Sequence, residues 1–470
     1  MKMRNYSIVM LLLSLAFFCN QVFGQSRIRE LLKTKPAIIE KTRPQMYKNS
    51  QIKFYEYTMA NGLKVVIRAD DSRKDIQMSA ICPGGASLVD DQDFQSAIHA
   101  GAIIGNSGVG DFSGSEISQF FKQKNISLTP DIEENYSTLK GSCMPADLET
   151  FLQAIYLYFT HPKKDKVYFD TYIKNLSKSA AIYYKNPYNV LQDTVNALVK
   201  TNKKRVNTLS AANIKAINLD KAFDIFSKCF GSIKGYTFVF TGNFKVDDFN
   251  EPSNEVIDLM AQYFNALPSK AAMQAQVDRN NEIPNGKIYK KVYNGHLPLA
   301  AVQLVYSGKY QHSDSVNLQL KVLSYLLEKN LDTLKAFSGA SKASVTLTLT
   351  KFPKQSYSIN IGFKCLPQQV DELLAMVNRT IADLKQGIKP EQLKQYVTLR
   401  KSELKKQTFD YIFWRDYLAL QYVNGDDPYE IVHYPYYFYK ASTETVKQAA
   451  NEFLTGSNYI QAVLLPAPKK

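Results

Sequence analysis

The residues best suited to metal or acid–base chemistry are five histidines, His99, His161, His296, His312 and His433. Catalytic zinc needs three protein ligands, commonly including a histidine pair one helical turn apart, and a carboxylate to take the proton from bound water. No two of these histidines lie four residues apart, so neither His-Glu-x-x-His nor its inverse His-x-x-Glu-His can be built. Each reads as an ordinary surface or polar-core histidine. The run Gly105-Asn-Ser-Gly108-Val-Gly110-Asp-Phe-Ser-Gly114 has the look of a phosphate cradle. It follows a helical segment and lacks a trailing Gly-Lys-Ser/Thr, so it reads as a helix cap and turn. No Gly-x-Ser-x-Gly elbow exists to anchor a serine hydrolase triad.

The Tyr-rich segment Tyr411 to Tyr439, with Trp414 inside it, could line a peptide or glycan groove, although core packing explains the same aromatics. Lysine and arginine outnumber aspartate and glutamate 58 to 43, a formal charge of +15. Such a balance favours acidic partners, among them acidic peptides. The basic residues are scattered, which argues against nucleic acid.

These residues must be carried by more than one domain, because 470 residues at 45% hydrophobic exceed a single compact core. Met1 to Gly24 has the three parts of a secretory signal: Lys2 and Arg4, an apolar run from Ile8 to Phe18, and Val22-Phe23-Gly24 as the cleavage site. The expectation is an exported protein, periplasmic or secreted, with no stable membrane insertion, since no later stretch approaches the length of an apolar span. Export would permit disulfides among Cys82, Cys143, Cys229 and Cys365, but their wide spacing equally fits small buried hydrophobes. Residues 25–53 read as a basic arm or linker. The first folded feature is a hairpin, Tyr55 to Ala60 and Leu63 to Ile67 about the Asn61-Gly62 turn.

From there the order of elements repeats. Tyr136-Ser, Cys143-Met-Pro145 and Leu148-Glu-Thr-Phe-Leu152 return as Tyr357-Ser, Cys365-Leu-Pro367 and Val370-Asp-Glu-Leu-Leu374, each a strand turning through a Cys-x-Pro corner into an amphipathic helix. The Lys-rich helix Asp165 to Tyr184 returns as Pro390 to Phe409, with Tyr172 matched by Tyr396. The expected organisation is an α+β chain of two tandem roll modules, 54–249 and 285–470, each a mostly antiparallel sheet packed with helices, joined by a linker over 250–284.

The hairpin leading to Pro83-Gly84-Gly85, Gly108-Val-Gly110-Asp-Phe-Ser, Leu148-Glu-Thr-Phe-Leu with Tyr156-Leu-Tyr-Phe-Thr160, and Phe238-Val-Phe-Thr-Gly242 together resemble the insulinase/pitrilysin (M16) zinc peptidases. The likeness is to their non-catalytic C-terminal half and covers Phe54 to Pro466. It implies a clamshell in which an N-terminal half binds zinc through His-x-x-Glu-His and a distal Glu, while the C-terminal half often grips substrate with an Arg and a Tyr. Carried onto this chain, His99 stands at the first ligand, Ala102 at the catalytic Glu, Ile103 at the second His and Ser179 at the distal Glu. Leu334 and Ser341 stand at the Arg and Tyr positions. The resemblance implies a chain without a cofactor of its own, inactive alone, that pairs with a separate zinc-bearing half to enclose peptides. The alternative is a binding or assembly scaffold that keeps the fold and has no part in proteolysis. Homodimerisation stays open.

Overall fold

The structure, a computed structural model, describes residues 36, 45–49, 52–247, 251–269, 275–294 and 298–467, the strand 45–49 by its backbone. The signal segment Met1–Gly24 and His296 lie outside the described residues.

In chain order the first half comprises β1 (Gln45–Asn49), β2 (Phe54–Thr58), β3 (Lys64–Ala69), β4 (Ile76–Pro83), α1 (Phe94–Gly105), β5 (Gly108–Val109), β6 (Phe112–Ser113), α2 (Gly114–Lys124), β7 (Ser127–Ile132), β8 (Tyr136–Cys143), α3 (Leu148–Thr160), α4 (Lys166–Tyr183), α5 (Pro187–Leu198), α6 (Ala211–Lys215), α7 (Leu219–Phe230), β9 (Thr237–Gly242) and α8 (Asn254–Phe264). The second half comprises β10 (Lys287–Tyr293), β11 (Ala300–Lys309), α9 (Asp314–Asn330), β12 (Ser344–Thr350), β13 (Ser356–Cys365), α10 (Val370–Gln386), α11 (Pro390–Gln407), α12 (Tyr411–Asn424), α13 (Glu430–Lys440), α14 (Thr443–Phe453) and β14 (Tyr459–Leu465).

The two large sheets have one topology. The first runs β1-β2-β3-β9-β4-β8-β7 and the second β10-β14-β11-β13-β12. In each, the last strand in sequence inserts beside the first long one as the sole parallel pairing, β3 with β9 and β10 with β14. Both Cys-x-Pro corners are 3-10 turns, Pro145–Asp147 and Pro367–Gln369, that deliver β8 into α3 and β13 into α10. The α+β roll architecture expected from the sequence is the one observed.

Two stretches differ from the sequence expectation. Inside the region read as an arm, Gln45–Asn49 pairs antiparallel with β2, Gln45 opposite Thr58. Inside the region read as a linker, α8 buries Val256, Ile257, Met260, Tyr263 and Phe264, an i, i+3, i+4 face, against the first core. Tyr263 donates to Glu149 at 3.1 Å and accepts from Gln153 at 2.8 Å, tying α8 to α3. Its flanking prolines, Pro252 and Pro268, make the surrounding sequence look like connection.

Strand alternation explains how the layers form. Val65, Ile67, Phe238 and Phe240 face one core, whereas Val66 and Val239, between them, face another. That second face of the first sheet is covered by α12, a helix of the second half, through Trp414, Leu418 and Ala419. The second sheet is treated reciprocally: Val302, Leu304 and Tyr306 face its own helices, while Ala301, Val305, Ile460 and Ala462 lie under Leu191 and Val195 of α5, a helix of the first half. Each module therefore supplies the outer layer of the other.

Among the described residues no helix is long and apolar enough to cross a membrane. Cys82, Cys143, Cys229 and Cys365 are all buried free thiols.

Candidate functional site

Helix α1 carries the first of the predicted site residues and is held unusually close to β7. A Cβ on Gly101 would sit 2.6 Å from the Pro130 carbonyl, so only glycine allows this approach. Ala97, Ala100, Ile103 and Ile104 are buried beneath it. His99 points away from that contact, toward α4, where its Nδ1 is 2.8 Å from the Tyr172 hydroxyl. The rings meet edge to face, centroids 5.9 Å apart. Burial lowers the imidazole pKa from its ordinary 6.5, and burial with the neighbouring Tyr168 pushes the Tyr172 phenol up to about 12. Both groups are neutral at physiological pH, a hydrogen-bonded pair with no charge to offer.

The remaining positions complete the picture. Ile103, one turn beyond His99, is fully buried in the core. Ala102 is exposed hydrocarbon, and Ser179, two turns beyond Tyr172 on α4, is an exposed hydroxyl. The face between α1 and α4 thus brings together one imidazole and one phenol. This donor set does not fit catalytic zinc, which needs three ligands and a base. Among the described residues no group of three or more His, Cys, Asp or Glu side chains converges. His161 contacts Thr160 at 2.7 Å and His312 contacts Asn317 at 3.2 Å, both local partners. His433 lies beside the Tyr429 ring.

The positions where a substrate grip was expected serve packing. Leu334 is fully buried in the second core. Ser341 extends the ladder of β13: its N–H donates to the Lys364 carbonyl at 2.8 Å, and its Oγ accepts from the Lys364 N–H at 2.9 Å. The glycine run resolves into the β5–β6 hairpin and a capping box, with Ser113 and Glu116 exchanging hydrogen bonds at the start of α2. The Tyr-rich segment splits between packing and exposure. Trp414 donates to the Thr408 carbonyl at 2.8 Å under α12, whereas Tyr436 and Tyr439 on α13 are 59% and 76% exposed.

Arg205, which no pattern in the sequence singles out, lies fully buried in a Lys-rich turn. Its Nε donates to Glu134 at 2.8 Å, Nη1 to Asp91 at 3.3 Å and the Val89 carbonyl at 3.2 Å, and Nη2 to the Ala86 carbonyl at 2.6 Å. The guanidinium also stacks over Phe94, 4.6 Å from its centroid. This one side chain fixes the Gly85–Leu88 turn that precedes α1. Gly85 adopts φ +55° there, and a Cβ on it would lie 2.3 Å from the Glu133 carbonyl. Next to this node, a cleft of ≈ 320 Å³ opens along the seam between the modules, lined by Glu134, Lys200, Asp278, Lys309, Thr350 and Lys354 among others. Lys354 pairs with Asp278 at 2.7 Å and with Glu282.

Residues 236–399, from β9 into α11, match the profile of the peptidase M16 inactive domain. The match is to that segment, which is similar to the M16 inactive domain. The resemblance of the whole chain to M16 proteins extends further in both sequence and shape. A probable zinc protease PqqL of Haemophilus influenzae is 19% identical over 88% of this chain, which spans 44% of that relative. The periplasmic protease PqqL from Escherichia coli superimposes with a TM-score of 0.79 at 18% identity, over 93% of this chain and 48% of that one. An M16 inactive domain from Pseudomonas fluorescens superimposes with a TM-score of 0.72 at 12% identity, over 91% of this chain and 98% of that one. The chain thus spans less than half the length of the PqqL relatives. At these identities the structural matches establish the M16 fold.

Proposed function

We propose that this chain acts outside the cytoplasm, in the periplasm, as the non-catalytic half of an M16-type peptidase. It pairs with a separate zinc-bearing half, closing a peptide-enclosing chamber and shaping which peptides enter. The observation that carries this reading is the coincidence of two facts. The chain has the shape of about half of a periplasmic protease, and its own α1–α4 face holds a single neutral imidazole where zinc chemistry would need three ligands and a base. An M16 fold whose described residues converge on no metal site would draw its activity from a partner that has one. The formal charge of +15 favours acidic peptides as cargo. The test is recovery of the native complex: affinity purification from a gentle extract should bring down an M16 protein containing His-x-x-Glu-His. Recovery of monomer alone, under conditions that keep other complexes intact, would refute the pairing.

A scaffold reading has an observation of its own in favour. Leu334 is buried and Ser341 is committed to the β13 ladder, so neither position is free to grip a substrate. Mixing the purified chain with its captured partner distinguishes the two, because a subunit raises peptide cleavage and a scaffold associates without raising it.

A further inference from the structure

Helix α13 is too lightly buried for core packing to explain its composition. Of its eleven residues, Glu-Ile-Val-His-Tyr-Pro-Tyr-Tyr-Phe-Tyr-Lys, only Ile431 and Phe438 are buried. The duplicated order of elements offers a comparison. Between α5 and the closing helix α7 the first module has the five-residue α6, whereas between α12 and the closing helix α14 the second has α13. The longer helix turns its added surface outward. Val432, His433, Pro435, Tyr436, Tyr439 and Lys440 are exposed, Tyr436 by 59% and Tyr439 by 76%. Two rings three residues apart share one helical face, so they form a patch.

The neighbouring helix α11 supplies charge. Its Lys394, Lys401 and Lys405 are all exposed and lie within about 20° of one line along the helix. Lys401 sits 4.7 Å over the Tyr439 ring and Lys440 4.9 Å over the Tyr436 ring, which joins the two helices into one surface. Among the described residues none of these four lysines has a carboxylate within ion-pair distance, because the nearby acids are taken: Glu403 pairs with Arg400, and Glu430 accepts from the Tyr437 hydroxyl. Counting Lys406, the two helices expose five lysines against one carboxylate, Glu391.

We propose that the face shared by α11 and α13 docks on an anionic lipid surface, its lysines meeting phosphate headgroups while Tyr436 and Tyr439 lie at headgroup level. Lysine and tyrosine each have an apolar body and a polar tip, so the body enters the lipid boundary and the tip stays wet. An acidic protein fits this face less well. Protein interfaces favour arginine and are depleted of lysine. Here the single arginine of the two helices, Arg400, is committed to Glu403, and every free cation is a lysine. The chain would rest on the surface without spanning it, since among the described residues no helix is long and apolar enough to cross a membrane. The inference goes beyond the pairing proposed above and needs no zinc-bearing partner, so it is tested on this chain alone.

The test is co-sedimentation of the full chain with vesicles of equal parts phosphatidylglycerol and phosphatidylcholine, beside vesicles of phosphatidylcholine alone. The chain should sediment with the first and stay in solution with the second. Each lysine held near an anionic surface strengthens partition about fivefold, so Lys394→Gln, Lys401→Gln and Lys405→Gln together should weaken it about a hundredfold. A formal charge of +15 attracts any anionic surface, so an equal loss of charge elsewhere is the control. Helix α4, the counterpart of α11, exposes Lys174, Lys178 and Lys185 and no aromatic ring. Changing those three to glutamine should weaken partition by less than about fivefold, the share of one surface lysine. Tyr436→Ser with Tyr439→Ser should weaken it by a factor that persists as salt is raised, because salt screens charge and leaves ring burial in place. All the substituted side chains are exposed, and an unchanged circular dichroism spectrum confirms that each variant is folded. The proposal is overturned if the chain ignores anionic vesicles, as it would were an acidic protein the occupant, or if it binds neutral ones as tightly. It is equally overturned if the α4 variant loses as much as the α11 variant, or if the tyrosine pair has no effect.

Discussion

His99 Nδ1 and the Tyr172 hydroxyl meet at 2.8 Å, joining α1 to α4 through two neutral groups. The contact occupies the ring nitrogen on the α4 side and closes the face with an aromatic ring. The imidazole serves here as a packing element between the two helices.

That pair sets a pH dependence. His99 has a folded pKa below its ordinary 6.5 because burial disfavours the charged ring. The unfolded chain therefore binds more protons than the folded one as pH falls, so stability is present above about 6.5 and is lost on acidification through the folded pKa. His99→Phe should flatten the acid limb of the stability profile. An unchanged slope between pH 7 and pH 5 in urea melts of wild type and variant would count against the assignment.

Arg205→Met should be strongly destabilising. It leaves the Val89 carbonyl without the Arg205 donor, the Ala86 carbonyl with the Val89 N–H at 3.2 Å, and Glu134 with Lys200, 3.6 Å away. Breaking a buried pair in this way costs about 3 to 5 kcal/mol. Calorimetry on the variant measures it, and a loss under about 1 kcal/mol would mean water replaces the guanidinium cheaply.

Gly101→Ala sets two effects against each other. Alanine in a helix is worth about 1 kcal/mol over glycine. The added Cβ, however, would lie 2.6 Å from the Pro130 carbonyl and 2.8 Å from the Asp131 Cα, both backbone atoms that cannot swing aside. Overpacking of this kind costs about 1 to 3 kcal/mol, so the net change should be destabilising. A variant with a raised midpoint in denaturant would show that α1 and β7 are less tightly apposed.

The exchanged helices predict one unfolding transition for both modules. Trp414, the sole tryptophan, belongs to the second half of the sequence yet lies on the first sheet, over Arg68 at 4.9 Å. Leu418→Ala on α12 and Leu191→Ala on α5 should each cost about 2 to 5 kcal/mol. Both should shift the same transition, seen alike by tryptophan fluorescence and far-ultraviolet circular dichroism. Two separated transitions would show that the modules unfold independently.

The buried thiols should resist modification. Cys82 is pushed up to about 12 and Cys365 to about 11 by burial, so little thiolate exists at neutral pH. A thiol-specific reagent should label the native chain slowly and the denatured chain at once.

Much of this architecture was readable locally. The Asn61-Gly62 turn and the two Cys-x-Pro corners each state their own conformation in a few residues. What the residues could not state is who their partner is. The apolar faces of α5 and α12 announce burial, but nothing in their period says that each lies on the other module's sheet. Arg205 sits among lysines in a loop, and only the folded chain distinguishes a buried guanidinium from solvated ammonium groups. The contact of His99 with Tyr172 spans 73 residues of sequence and is likewise a property of packing.

The exchange of α5 and α12 has a consequence for what counts as the smallest viable form of this protein. Remove the second half and Val66 and Val239 face water; remove the first and Ala301, Val305 and Ile460 do. Each repeat on its own therefore presents an apolar sheet face that its sibling covers in the whole chain. The duplication is an obligate twin, in which each copy is the other's missing layer.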